Sequence, residues 1–240
     1  MSWISSKSIP VNERLIMALD VPDILSAKAL VTKLGDSVVF YKVGLELFMS
    51  GDYFELIDWL NEQHKRIFVD LKFFDVPATV GRAVKQLSDK KVDFVTVHGN
   101  NSIMQAAAEN KGSLKVLAVT LLTSLDRGDL DDLGFQCDVE KLVTSRAKRA
   151  IELGCDGVIS SGLEAPGLRN SLGQNFLVVS PGIRPVDNRP DDDQKRVVSV
   201  EQAFYNGADH IVVGRPIRDA SNPQQAAMDI QQSIRNVFSD

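Results

Sequence analysis

Asp70, Lys72 and Asp75 set two carboxylates and an ammonium within six positions of an otherwise apolar segment, Arg66-IFVDLKFFDVP-Ala78. Charged side chains are almost never fully buried without partners. Such a cluster belongs either to an internal ion-pair network or to the floor of an active site, where fixed charge and an available proton act on a bound molecule. Residues 67–72 read as a short buried strand of β-branched and aromatic side chains. Period two sends Asp70 and Lys72 to one face and Val69 and Leu71 to the other. Asp75 follows just past the strand end, before Pro77 opens a helix.

The elements that must position this cluster repeat along the whole chain. Apolar runs at 15–19, 38–43, 67–72, 94–98, 116–120, 157–160, 176–180 and 210–213 read as eight strands. Helical patterns at 24–34, 53–63, 79–88, 103–109, 139–153, 200–206 and 223–238 lie between and after them. Ser199 with Gln202 suggests a capping box, and Asn222 before Pro223 an N-cap with proline at the first helical position. Gly35, Gly154 and Gly207 suit helix C-termini. Near-continuous apolar strands joined by helices indicate a parallel sheet. Eight in this length favour a closed (β/α)8 TIM barrel, and no GxGxxG follows the first strand to support a dinucleotide-binding sheet. The expectation is one catalytic domain over 1–240, with 1–12 as an N-terminal extension.

Bulk properties exclude several classes. The 240 residues are 44% apolar and 25% charged with a net charge of −5, ordinary globular values. No basic block or aromatic–basic interleaving favours nucleic acid. Residues 1–10 lack the apolar core of a signal peptide, and no run approaches the roughly 18 apolar residues of a membrane span. Cys137 and Cys155 fit no CxxC spacing, and His64, His98 and His210 form no ligand-spaced cluster. A cytoplasmic protein without a metal is expected.

A barrel's active site forms at the C-terminal ends of its strands. Those ends supply Asp20, Lys42, Asp70 with Lys72, His98, Thr120 with Thr123, Ser160, Ser180 followed by PGIRP, and Gly214 with Arg215. Asp20 and Lys42 each follow an apolar run and should enter the cavity that holds Asp70 and Lys72. The last two ends suit an anion. Gly214 permits close backbone approach, Arg215 offers a fork for phosphate oxygens, and Arg184 can reach the same group. The bland alternative for Arg215 is a salt bridge on the barrel rim. The polar run VDNRPDDDQ, at 186–194, is too long for a tight turn and reads as a lid, with Gln194 as a candidate ligand contact.

Taken together, ALDVP, YKVGLELF, DLKFFDVPATV, VTLLTS, SPGIRP and VGRPI resemble the orotidine 5'-monophosphate decarboxylase family, in its bacterial form, over nearly the whole chain. The DxKxxD element belongs to a wider group of barrels, and its combination with SPGIR and GRPI is specific. The resemblance implies cofactor-free decarboxylation of orotidine 5'-monophosphate (OMP) to UMP by a homodimer whose sites are shared across the interface. It implies that Lys72 protonates C6, that Asp70 lies beside the departing carboxylate, and that Lys42, Asp70, Lys72 and Asp75 form an alternating-charge network. Asp75 and Thr79 would reach the neighbouring subunit's site. Asp20 and Lys42 would hold the ribose hydroxyls, and Thr123 would face the pyrimidine. Arg184, Gln194, Gly214 and Arg215 would grip the phosphate. Val76 and Ala78 stand where the family often has Ile and Asn, and the charged positions are intact.

Two rivals remain at this stage. One is a related metal-dependent decarboxylase or aldolase acting on a sugar phosphate, with DxKxxD partly ligating Mg²⁺. The other is a non-catalytic barrel that senses a nucleotide, against which the costly Asp70–Lys72 cluster argues.

Overall fold

Eight short runs of aliphatic and β-branched residues pair in parallel, each with its sequence neighbours, and the last closes onto the first. The computed structural model describes residues 2–184 and 197–239. Its first half runs β1 (Leu15–Ala18), α1 (Ile24–Leu34), β2 (Phe40–Gly44), α2 (Leu45–Met49), α3 (Tyr53–Glu62), β3 (Arg66–Phe73), α4 (Pro77–Ser88), β4 (Phe94–His98) and α5 (Asn101–Asn110). Then come β5 (Lys115–Val119), α6 (Arg127–Asp132), α7 (Val139–Glu152), β6 (Gly157–Ile159), α8 (Ala165–Leu172) and β7 (Leu177–Ser180). The chain ends with α9 (Val200–Tyr205), β8 (His210–Val213), α10 (Arg215–Arg218) and α11 (Pro223–Val237). This is the expected TIM barrel.

Period two sorts the strand residues into two apolar layers. Ile16, Phe40, Phe68, Phe94, Leu117, Val119, Val179 and Val212 fill the interior. Leu15, Met17, Tyr41, Val43, Val69, Val95, Val116 and Val178 face the helices. The interior is packed at the base, where Phe94 meets Phe40 at 5.0 Å and His210 at 5.2 Å between ring centroids. The Arg66 guanidinium covers the Phe40 ring from below at 4.7 Å and pairs with Asp93 and Glu13. At the opposite end, where the strands finish, the interior opens into a cavity.

The segment before β1 docks on that base. Trp3 N–H donates to the Tyr205 carbonyl, and Ser5 and Lys7 both donate to the Asp209 carboxylate. Asp209 also pairs with Arg169 at 2.8 Å, and both side chains are fully buried. Desolvation opposes charge on each, but their attraction holds Asp209 below the usual carboxylate range.

Several short helices escape a periodic reading. α2 has five residues, too few to show a 3.6 period, and exposes Leu45, Phe48 and Met49. α6, RGDLDD, buries only Leu130 and is held by a capping box between Asp126 and Asp129. α8 carries Pro166 and Gly167, which look like breakers, yet its proline lies in the first turn where no N–H is missed. At α9, Ser199 does cap the Gln202 N–H, but the Gln202 side chain turns to Asn206, so the expected capping box is half made. Asn222 caps α11 as expected.

Candidate active site

Four charged side chains form one continuous row across the ends of β1, β2 and β3. Asp20 Oδ1 lies 3.0 Å from Lys42 Nζ, and Lys42 Nζ lies 3.5 Å from Asp70 Oδ2. Lys72 Nζ donates to both Asp70 oxygens at 2.9 Å. Signs alternate along the row, so each charge meets its opposite. Burial works against charge on both central members, and attraction wins. Lys42 is pushed above the ordinary lysine value by Asp70 and Asp20, and Asp70 below the ordinary carboxylate value by Lys42 and Lys72. Gly44 keeps the row open, since a Cβ there would stand 3.3 Å from Lys42 Nζ.

Asp70 and Lys72 reach the same side through a break in β3. The ladder to β4 runs Phe68 to Phe94 and Val69 to Val95, then resumes at Phe73 to Val97. Asp70, Leu71 and Lys72 therefore bulge opposite Thr96 alone. Lys72 takes φ +47°, a left-handed conformation that costs a residue with a Cβ about 1–2 kcal/mol. Simple alternation foresaw the shared face of Asp70 and Lys72 but not this backbone.

The row forms one wall of a cavity of about 410 Å³ at the open end of the barrel. Its floor is Ala18, Phe68, Val119, Ile159 and Val212, and Leu121, Pro181 and Ile183 line its sides. Thr123, Ser124, Arg184, Gly214, Arg215 and Arg218 complete it. Five basic side chains against two carboxylates give this cavity a local positive excess within a chain of net charge −5. An anionic small molecule is the ligand this field attracts. Gly214 lies beside Ala18 and Asp20 on this wall, where a Cβ would make only ordinary contacts at 3.5 and 3.7 Å.

The sequence model described as the orotidine 5'-phosphate decarboxylase / HUMPS family matches residues 13–230. The chain is 69% identical to the orotidine 5'-phosphate decarboxylase of Methylococcus capsulatus over 237 residues, covering 99% of this chain and 98% of that protein. It is 51% identical to the enzyme of the same name from Stenotrophomonas maltophilia, with 95% of each covered. This chain belongs to the orotidine 5'-phosphate decarboxylase / HUMPS family. The crystal structure of orotidine 5'-phosphate decarboxylase from Lactobacillus acidophilus superposes with a TM-score of 0.83 at 35% identity, covering 92% of this chain and 99% of that one.

Of the residues singled out from the sequence of this family member, Asp20, Lys42, Asp70 and Lys72 make the charged row, and Thr123, Arg184, Gly214 and Arg215 line the same cavity. Asp75 and Thr79 do not join them. The exposed Asp75 carboxylate accepts from the N–H of the next residue, Val76, at 2.6 Å, and Thr79 Oγ1 accepts from Arg82. Gln194 lies outside the described residues. Three polar strand ends turn away from the cavity, because each stands one residue beyond an inward side chain. Thr120 donates to the Ile159 carbonyl, Ser160 to Glu164, and Ser180 is buried on the helix side.

Arg218 was missed by sequence reasoning. Its signal was the GRPIR spacing, which puts a second arginine one helical turn beyond Arg215. It lines the cavity and donates to the Asp20 carbonyl at 2.5 Å, tying α10 to the end of β1. Thr96 was missed too, since a threonine inside a strand is ordinary β composition.

Proposed function

We propose that this protein decarboxylates orotidine 5'-monophosphate to UMP and CO₂, the last step of de novo UMP synthesis, without a cofactor. The observation that carries the reading is the Asp20–Lys42–Asp70–Lys72 row beside an arginine-lined wall, in a chain 69% identical to a protein of that name. Arg184, Arg215 and Gly214 hold the phosphate, together with Gln194. Asp20 and Lys42 hold the ribose hydroxyls, and Thr123 faces the pyrimidine.

The bond from C6 to the carboxylate breaks with its electron pair left on C6. No adjacent carbonyl can delocalise that pair as an enolate, so stabilisation comes from charge already in place. The Lys72 ammonium supplies it and then gives its proton to C6, leaving a neutral amine that regains a proton from solvent. Asp70, beside the departing carboxylate, orients Lys72 and favours loss of the like charge. Phosphate binding far from C6 adds energy that can be used in the transition state.

The working unit is a homodimer in which Asp75 and Thr79 of one protomer complete the site of the other. Asp75 is flanked by Phe74 and Val76, 66% and 63% exposed, an apolar surface suited to a self-complementary contact. We place the protein in the cytoplasm as a single domain over 1–240. Among the described residues no helix is long and apolar enough to cross a membrane.

The deciding experiment follows the orotate absorbance on adding OMP in excess EDTA. Loss of absorbance with UMP formed supports the reading. Unchanged absorbance, or turnover only after Mg²⁺ is restored, overturns it.

A further inference from the structure

Thr96 occupies the one position of β4 that faces the β3 bulge, and its side chain is fully buried. In a regular parallel ladder the Lys72 N–H would meet a backbone carbonyl of the neighbouring strand. At the two-residue slip it is the Thr96 Oγ1 that accepts the Lys72 N–H, at 2.9 Å. The same hydroxyl spends its single proton on Asp70 Oδ1, also at 2.9 Å. One side chain thus holds the backbone of the lysine and the carboxylate of its partner at once.

We propose that Thr96 is a positioning residue for catalysis, which holds Lys72 in its left-handed conformation and aims its ammonium along the Asp70 carboxylate. Left-handed backbone at a residue with a Cβ persists only where the surroundings over-determine it. The Thr96 bond constrains the backbone of Lys72, and the pairing of its ammonium with both Asp70 oxygens constrains the side chain. Without the Thr96 bond Lys72 relaxes toward ordinary strand geometry, and alternation alone no longer fixes the distance from Nζ to Asp70. A displacement near 1 Å of a group that stabilises charge in the transition state costs on the order of 100-fold in turnover. Ground-state binding of the nucleotide, carried by the arginine-lined wall, is left intact.

The inference rests on the decarboxylase reading, and the test separates the two. Wild type, Thr96→Val and Thr96→Ser are compared for kcat and KM on OMP, for the affinity of UMP, and for thermal unfolding. Thr96→Ala is the second hydroxyl-free variant should Thr96→Val not fold. The expected result is a kcat lower by roughly 10- to 100-fold in the hydroxyl-free variant, with UMP affinity within about threefold of wild type. Thr96→Ser, which keeps the oxygen and its proton, recovers most of the rate. The acid limb of kcat/KM also moves to higher pH without the hydroxyl, because Asp70 loses a hydrogen bond to its ionised form. A folded hydroxyl-free variant with kcat within a factor of about two of wild type overturns the proposal. So does a serine variant as slow as the valine one. Wild-type protein inactive on OMP overturns both readings.

Discussion

Lys72 Nζ lies 2.9 Å from each oxygen of the Asp70 carboxylate, although only Leu71 separates the two residues and Lys72 has φ +47°. A symmetric grip of this kind fixes where the ammonium points. Lys72→Ala should therefore leave a folded protein, since Ala adopts the same backbone at similar cost, and lower UMP formation by at least roughly 10⁴-fold. Stopped assays on OMP with circular dichroism as the folding control decide it. Near-normal turnover refutes the assignment of Lys72 as proton donor.

Arg215 lines the cavity next to Gly214, on the β8 side of Asp20. Arg215→Ala should weaken UMP binding by about 10- to 100-fold, the worth of a charged hydrogen bond, and leave uridine binding nearly unchanged. Calorimetric titration with both ligands checks this. Equal losses for the two would remove the phosphate role.

Asp75 sits apart from Lys72 within one protomer, capping the Val76 N–H instead. Mixing inactive Asp70→Ala and inactive Asp75→Ala protomers should restore about a quarter of wild-type activity after free exchange. Half of the dimers are then mixed, and each of those has one intact site. No recovery, with exchange verified by tagged subunits, sinks the shared-site arrangement.

His210 is buried between Phe40 and Phe94 in the barrel interior, with Nδ1 donating to the Glu13 carbonyl. Burial pulls its pKa down to about 4, with Arg66 and Arg14 adding to the effect and Asp209 opposing it. The folded value lies below the unfolded one, so between about 6.5 and 4 the unfolded chain takes up a proton that the native state refuses. Stability should fall by about 3 kcal/mol over that window from this residue alone, and level off below it. The imidazole signals should stay those of the neutral ring at pH 5.5. A titration midpoint near 6.5 would contradict this.

Much of the fold was legible because its causes are local. Strand runs such as 94–98 and 210–213 and helix 24–34 coincide with the observed elements, since apolar periodicity needs only neighbouring residues. Asp20, Lys42, Asp70, Lys72, Arg184 and Arg215 were readable as polar types at the ends of apolar strands, and all of them line the cavity. The same rule overreached at Thr120, Ser160 and Ser180, where one step of the pleat sends the side chain outward. Short helices α2 and α10 carried too few residues for a periodic signal.

Residue types and their spacing alone determined the parallel barrel, the end at which its cavity opens, and the charges that gather there. Tertiary structure decided the two-residue slip of β3 against β4, the left-handed Lys72, and the service of Thr96 to both Lys72 and Asp70. It also decided that Asp75 turns away from Lys72. Those features depend on how one strand registers against another across the sheet, and no pattern within a single strand encodes that pairing.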